Sequence, residues 1–331
     1  MNLLITGLSG YLGQAVVARL MQGHPFRRVF GVDRVPPRML GPVHFINCDV
    51  RHAEQLGDLM VTDGVDVVLH LAHTGARPGD TRSEAAVVRR LLELADIAGV
   101  RRVVIPSRDW VYAPSETPVA ETAPLRVVNE GAGARLAALF GGELAAGKAR
   151  VERVAIEMAA ALPDVEVVIP RMATVLGPTR GRPIDGVLAQ PTLLAPPRRD
   201  PVLNFLHIDD AARILLACAA KPGLRGAYNA AGAEPLHLST VAGILQTRFL
   251  QPPAWVVSAG VQALSRIGVL PFAVRDVAQL HLGVPLDTTR LVEAIGPPVY
   301  TGRQTLAMWR VGHRVRVRDP VPARTPESSE S

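Results

Sequence analysis

Apolar residues follow two alternating rhythms along this chain. Asn2–Thr6 is a short apolar run, and Gly10–Met21 brings Leu12, Val16, Val17 and Leu20 round to one face at helical spacing. Further runs predict strands at Arg28–Asp33, Val43–Asn47, Val65–Ala72, Arg102–Ser107 and Val165–Arg171. Helical spacing falls between them at about Arg51–Val61, Arg82–Ala98 and Glu143–Leu162. Val65–Ala72 is almost wholly apolar, as a parallel strand covered on both faces requires. Strand and helix alternating in this way predict an α/β fold, a doubly wound parallel sheet.

After Arg171 the rhythm breaks. Gly177–Pro201 is rich in Pro, Gly and Arg and shows no clear period. Val202–His207 and Ala227–Ala231 return as short strands around a helix at Asp209–Ala220. The expected division is a sheet domain over 1–171, completed by about 202–232, and a smaller C-terminal α/β lobe woven from 172–201 and 233–310. Residues 311–331 form a tail, basic at first and then rich in Pro, Ser and Glu, which reads as disordered.

Composition narrows the class. With 331 residues, 48% apolar and 20% charged, the chain has material for a large core and is not a mainly disordered protein. Cys48 and Cys218 cannot make a disulfide framework and fit a reducing compartment, so the cytoplasm is expected. The first residues carry no basic stretch before their apolar run, so no signal peptide is read there. Ala254–Leu270 comes nearest to a membrane span, but it contains Arg266 and ends at Pro271, and it reads as a buried or interfacial helix. The net charge of +6 rests almost wholly on arginine, since Lys148 and Lys221 are the lysines of the chain. Those arginines are scattered except for Arg310, Arg314, Arg316 and Arg318, where no aromatic residues interleave, so no nucleic-acid partner is expected. No spacing suited to a metal ion is found.

The strongest local signal is Thr6-Gly7-Leu8-Ser9-Gly10-Tyr11-Leu12-Gly13, directly after the first strand and opening the first helix. Gly7 permits a tight turn, Gly10 lets backbone approach a pyrophosphate, and Gly13 lets the helix pack closely. The helix end then offers free N–H groups and its positive dipole to phosphate. Asp33, about 20 residues on at the end of the second strand, can accept both ribose hydroxyls of NAD and repels a 2′-phosphate. Arg34 and Arg38 beside it leave NADP open.

The T-G-x-x-G-x-x-G spacing resembles the short-chain dehydrogenase/reductase superfamily, and further segments resemble its extended branch, the NAD-dependent epimerase/dehydratase family. These segments are Cys48-Asp49-Val50, Leu69-His70-Leu71-Ala72-His73, Ile105 to Ala113 with its Val111-Tyr112 turn, Gly147-Lys148 to Glu152, Pro170-Arg171 to Pro178, Asn204 to Ala212, and Tyr228-Asn229-Ala230-Ala231-Gly232. The resemblance covers about residues 1–310. It implies a Rossmann-type domain holding NAD through Gly7, Ser9, Gly10, Tyr11, Leu12, Gly13, Asp33, Arg34, Asp49, Val50, Leu71, Ala72 and Lys148, with Asp49 beside adenine and Lys148 on the ribose. It also implies a lobe that in relatives often holds a nucleotide sugar, with Arg108, Leu144, Arg171 and His207 on the substrate side. A homodimer is expected, because relatives pair the helices that correspond to Arg82–Ala98 and Glu143–Leu162.

The chemistry departs from that pattern. The family places a proton-transferring tyrosine four residues before its lysine, and here that position is Leu144. The companion Ser or Thr, four residues before Tyr112, is Arg108. A general acid/base contributes about 10²–10⁴-fold, so turnover of the family type is expected to be lost. Asp109, which stands where dehydratases of the family carry an Asp, and His73, at the end of the fourth strand, are the candidates for a replacement relay. Three readings stay open at this point: an oxidoreductase or nucleotide-sugar epimerase/dehydratase with a non-standard acid/base, a cofactor-binding protein without redox turnover, and a relic of the fold. The intact glycine turn, Asp33, Asp49 and Lys148 oppose the last.

Overall fold

The computed structural model describes residues 1–73, 80–113, 115–126, 142–178, 182–195, 199–253, 277 and 279–316, with backbone only at 80, 81, 142–144, 279 and 314–316. Strands β1 (Asn2–Thr6), β2 (Arg28–Asp33), β3 (Val43–Asn47), β4 (Val67–His70), β5 (Arg102–Val104), β6 (Ser107–Arg108) and β7 (Glu166–Met172) alternate with helices α1 (Tyr11–Leu20), α2 (Ala53–Thr62), α3 (Asp80–Ile97) and α4 (Gly142–Ala161). The sheet is parallel in the order β3-β2-β1-β4-β5-β7, with β6 also on β7 and β12 (Gly226–Ala230) on its outer edge. The expected fifth strand breaks at Ile105-Pro106, because proline has no N–H for the ladder.

Successive residues of a strand point to opposite faces, and β1 shows both cores. Leu3 and Ile5 join Val16, Val17 and Leu215 on one face, whereas Leu4 meets Leu56, Leu91, Leu92 and Ala155 on the other. The order reverses between β1 and β4, so the turn after β1 lies at the crevice where ligands bind in such sheets.

The second half of the chain divides its residues between the sheet's core and a separate lobe core. Only β12 of the stretch 202–232 enters the main sheet. Val202–His207 splits into β10 (Val202–Leu203), paired with β13 (Leu236–His237), and β11 (Phe205–His207), paired with β8 (Thr174–Leu176). Gly177–Pro201, which shows no clear period, holds helix α5 (Pro183–Leu188) and β9 (Thr192–Leu194), which pairs with β14 (Arg248–Leu250). Elements of three to six residues are too short to display a period. Helix α6 (Ile208–Ala220) packs on α1, and α7 (Leu238–Leu245) joins a separate lobe core of Leu188, Leu203, Phe205, Val241, Leu306 and Trp309. After α8 (Thr289–Ile295), α9 (Gly302–Arg316) runs into the stretch expected to be tail, and Arg310 donates to Ile244 O at 2.6 Å. Ala254–Leu270, Arg318 and the remainder of the tail lie outside the described residues. Among the described residues no helix is long and apolar enough to cross a membrane.

Candidate functional site

The glycine turn is fixed by close backbone approach. Gly7 has φ +74°, and a Cβ there would lie 2.5 Å from Ala72 N. A Cβ on Gly13 would lie 2.4 Å from Leu8 O, so the third glycine sets how closely α1 meets its own turn. Gly10 differs, since its Cβ would meet only Gly7 O, at 3.2 Å. The space beside Gly10 is therefore open, and no side chain caps α1. Asp33 accepts Ser9 N–H at 2.9 Å and Arg34 N–H at 2.7 Å, one on each oxygen, and each oxygen keeps a lone pair. Gly7, Ser9, Gly10, Asp33, Arg34, Asp49, Val50, Leu71, Ala72 and His73 border one cleft of about 340 Å³. Leu12 packs its side chain against the core, which leaves only its backbone for a ligand. Asp49 is forked by Arg51, with Nε at 3.0 Å from each oxygen, and the hydrogen bonds from Arg51 pull its carboxyl down to about 2 against the cost of burial. An open glycine cradle, an uncapped helix and a carboxylate with spare lone pairs fit a dinucleotide.

Tyr11 turns the other way, to a second cleft of about 700 Å³ shared with Gly177, Arg182, His207 and Trp309. The Arg182 guanidinium lies 4.0 Å from the centre of the Tyr11 ring, and burial pushes the phenol up to about 12. His207 Nδ1 accepts Asp209 N–H at 3.3 Å and caps α6, while its ring lies 4.2 Å from that of Tyr300.

The lysine end is built from charges. Lys148 Nζ donates to Oε1 of Glu84, an α3 carboxylate that is 6% exposed. His73 Nδ1 lies 3.2 Å from the same oxygen. Burial and the nearby Arg108 charge pull the Lys148 ammonium below its ordinary value even with Glu84 beside it. Asp109 is 3% exposed; Asn204 Nδ2 approaches its Oδ2 at 3.5 Å, and its Oδ1 has no hydrogen-bond partner among the described residues. Burial drives this carboxyl up to about 7, and the Arg108 charge only partly opposes the rise. Arg108 is itself lowered by burial. The backbone of Leu144 lies in the first turn of α4, and its side chain falls outside the described atoms.

Arg171, expected on the substrate side, is 2% exposed and belongs to a buried network. It donates to Glu152 Oε1 at 2.7 Å, Tyr112 Oη at 2.5 Å and Glu121 O at 2.9 Å, and Tyr112 donates to Asn229 at 2.6 Å. Ser107 donates its hydroxyl to the other oxygen of Glu152. The role of Arg171 here is to tie β6, α4, β7 and β12 together. The sequence reading missed Glu84, although its place in the apolar stripe of Val88, Leu91, Leu92 and Ala95 was a signal.

Comparisons with known proteins bear on the fold and the family. An uncharacterized protein of Mycobacterium tuberculosis is 28% identical over 313 residues, covering 88% of this chain and 78% of that protein. A trifunctional UDP-glucose 4,6-dehydratase/UDP-4-keto-6-deoxy-D-glucose 3,5-epimerase/UDP-4-keto-L-rhamnose-reductase of Arabidopsis thaliana is 26% identical over 133 residues, 35% of this chain and 20% of that protein. Among solved structures, MoeE5 in complex with UDP-glucuronic acid and NAD superposes with TM-score 0.70 at 22% identity, covering 96% of this chain and 100% of that one. TunA, an NAD-dependent NDP-hexosamine 5,6-dehydratase, gives 0.67 at 23% identity, covering 95% and 98%. These structures share the fold. The profile of the NAD dependent epimerase/dehydratase family matches residues 3–231, and with that match over most of its length the chain belongs to this family.

Proposed function

We propose that this protein binds NAD across the glycine turn and a nucleotide sugar against its lobe, and that the tyrosine-dependent chemistry of its family is lost. The observation that carries this reading is the lysine end: Leu144 stands four residues before Lys148, and the Lys148 ammonium is taken by Glu84. A leucine cannot move a proton, and an ammonium held by a carboxylate needs no tyrosinate as its counter-charge. The open Gly10 cradle and Asp33 support NAD, which when bound would supply a hydride acceptor. Exposed Ile97 and Ile156 on α3 and α4, helices packed side by side, support the expected homodimer, and the two buried free cysteines suit the cytoplasm. Calorimetry with NAD and UDP-glucose tests the binding reading, and absence of NAD binding overturns it. Arg108→Ser with Leu144→Tyr is expected to raise cofactor reduction above the wild type; no gain in the folded double variant counts against a lost tyrosine route.

A second reading, turnover through other groups, is favoured by Asp109. Its orphaned Oδ1 and its carboxyl near 7 suit a buried proton donor. NAD-dependent conversion of a nucleotide sugar that disappears in Asp109→Asn, with NAD affinity kept, would establish it.

A further inference from the structure

Glu84 has no part in a tyrosine route, yet the fold buries its carboxylate on the core-facing side of α3. Such a charge is costly unless partnered. Its Oε1 meets both Lys148 Nζ and His73 Nδ1. Burial alone would raise the Glu84 carboxyl, but the hydrogen bond from His73 and the charge of Lys148 outweigh it and hold the group at about 2. An ionised carboxylate only accepts hydrogen bonds, so the nitrogen facing it, Nδ1 of His73, carries the hydrogen. The bond to Glu84 pushes the imidazole up, while partial desolvation on the side that meets Glu84 and the charges of Lys148 and Arg108 outweigh it and leave the ring below its ordinary 6.5. His70, the other imidazole nearby, is driven down to about 4 by burial and is neutral as well. The neutral form of His73 in this geometry therefore holds its lone pair on Nε2. Its side chain is 54% exposed and borders the cofactor cleft beside Ala72.

We infer that His73 is the general base of this site and that Glu84 is its positioning residue, an inference that rests on the cofactor reading and on turnover through groups other than tyrosine. The O–H bond of a substrate hydroxyl breaks and its proton forms an N–H bond at Nε2. Bound NAD would supply the acceptor for the hydrogen on the same carbon, which would leave with its electron pair as the carbon–oxygen double bond forms. Glu84 stabilises the resulting imidazolium through Nδ1–H, as a carboxylate does for an oriented histidine. With Asp109 as a proton donor, the site then holds an acid and a base of separate origin.

Nitrogen-15 imidazole spectra of the whole protein, without cofactor, read the tautomer directly. The expected result at pH 7 is hydrogen on Nδ1 of His73 and a bare Nε2, with the preference lost in Glu84→Ala. Hydrogen on Nε2 of His73 in the wild type, or a cationic ring at pH 7, overturns the inference. Carbethoxylation of His73 followed by peptide mass gives a second readout. Its rate is expected to titrate with a midpoint below 6.5 and to fall at least tenfold when NAD is added. Unchanged labelling in the presence of bound NAD places His73 away from the reacting groups and overturns the inference while leaving the cofactor reading intact. A wild type that binds no NAD overturns the cofactor reading itself. With NAD and UDP-glucose, His73→Gln is expected to slow cofactor reduction by about a hundredfold or more, and reduction at the wild-type rate in that variant overturns the base assignment.

Discussion

The two ends of the cleft are held by different kinds of contact. At the glycine turn the important distances are backbone to backbone: Gly7 against Ala72 and Gly13 against Leu8 leave no room for a Cβ. At the lysine end they are side chain to side chain: Glu84 with Lys148 and His73, Glu152 with Arg171, and Asp109 among Arg108 and Asn204. The difference teaches where such a fold tolerates chemical change. A backbone cradle is lost with one added carbon. A set of paired charges can be re-paired, and here Leu144 at the tyrosine position coexists with a carboxylate partner for the lysine. Binding geometry and reactive groups are thus separable on one sheet edge.

The largest effect should come from breaking the charge set at its most buried pair. Arg171→Met leaves Glu152 with a buried charge and removes the donors to Tyr112 and Glu121. Losing one member of such a pair costs about 3–5 kcal/mol, which urea unfolding at pH 7 would show. A loss under about 1 kcal/mol would mean that water reaches Glu152 and that this end is less dry than its burial implies.

Asp109 offers the opposite sign. Its carboxyl is raised by burial from 3.8 to about 7, so the folded chain keeps a proton that the unfolded chain gives up. Stability therefore falls as pH rises from about 4 to about 7 and is level above that range. Asp109→Asn removes the penalty. It is expected to be more stable than the wild type by a few kcal/mol at pH 8, because each tenfold difference in proton affinity between the folded and unfolded chain is worth about 1.4 kcal/mol. The gain should be gone near pH 4. Equal unfolding midpoints at both pH values would show that Asp109 ionises freely.

The glycine turn makes a finer contrast. Gly13→Val must push Leu8 O aside and should cost about 1–3 kcal/mol. A Cβ at Gly10 meets only Gly7 O, at 3.2 Å, so Gly10→Val should keep most of that stability while losing NAD affinity. Thermal unfolding and calorimetry on the same two proteins separate the roles. Equal destabilisation would remove the distinction between a glycine for packing and a glycine for ligand.

This division also governs how much the sequence reveals. Strand β1, the turn and Asp33 are legible because they are local: an apolar run, a fixed spacing and an acid at a strand end. The departure from the family's tyrosine is legible too, since Leu144 and Lys148 lie about one helical turn apart. The lysine end is not, because its partners are distant in the chain. Glu84 meets Lys148 across 64 residues and Tyr112 meets Asn229 across 117. Nothing local distinguishes Arg171 as a tie between elements from Arg171 as a substrate contact. The lobe strands β8, β9, β13 and β14 are not legible for a different reason, since two or three residues hold at most one alternation.

The smallest effect tests the adenosine end, where the cradle gives way to a side chain. Asp33 keeps one lone pair on each oxygen after accepting Ser9 N–H and Arg34 N–H. Those lone pairs are suited to the two ribose hydroxyls of NAD, and the same charge repels the 2′-phosphate of NADP. The Arg34 side chain is exposed and can move, so its pull on a phosphate is screened by water and salt. NAD should bind more tightly than NADP to the wild type. Asp33→Asn, which keeps an acceptor for the turn but removes the charge, should narrow that preference by about tenfold, near 1.4 kcal/mol. The narrowing should come mainly from tighter NADP, because repulsion is lost while one acceptor remains for ribose. Raising salt should weaken NADP binding to the variant, where Arg34 and Arg38 act unopposed, more than NAD binding. Tighter NADP than NAD binding by the wild type in a side-by-side titration would show that the two arginines govern this end, and that both ends of the cleft are then set by mobile charge rather than by the turn.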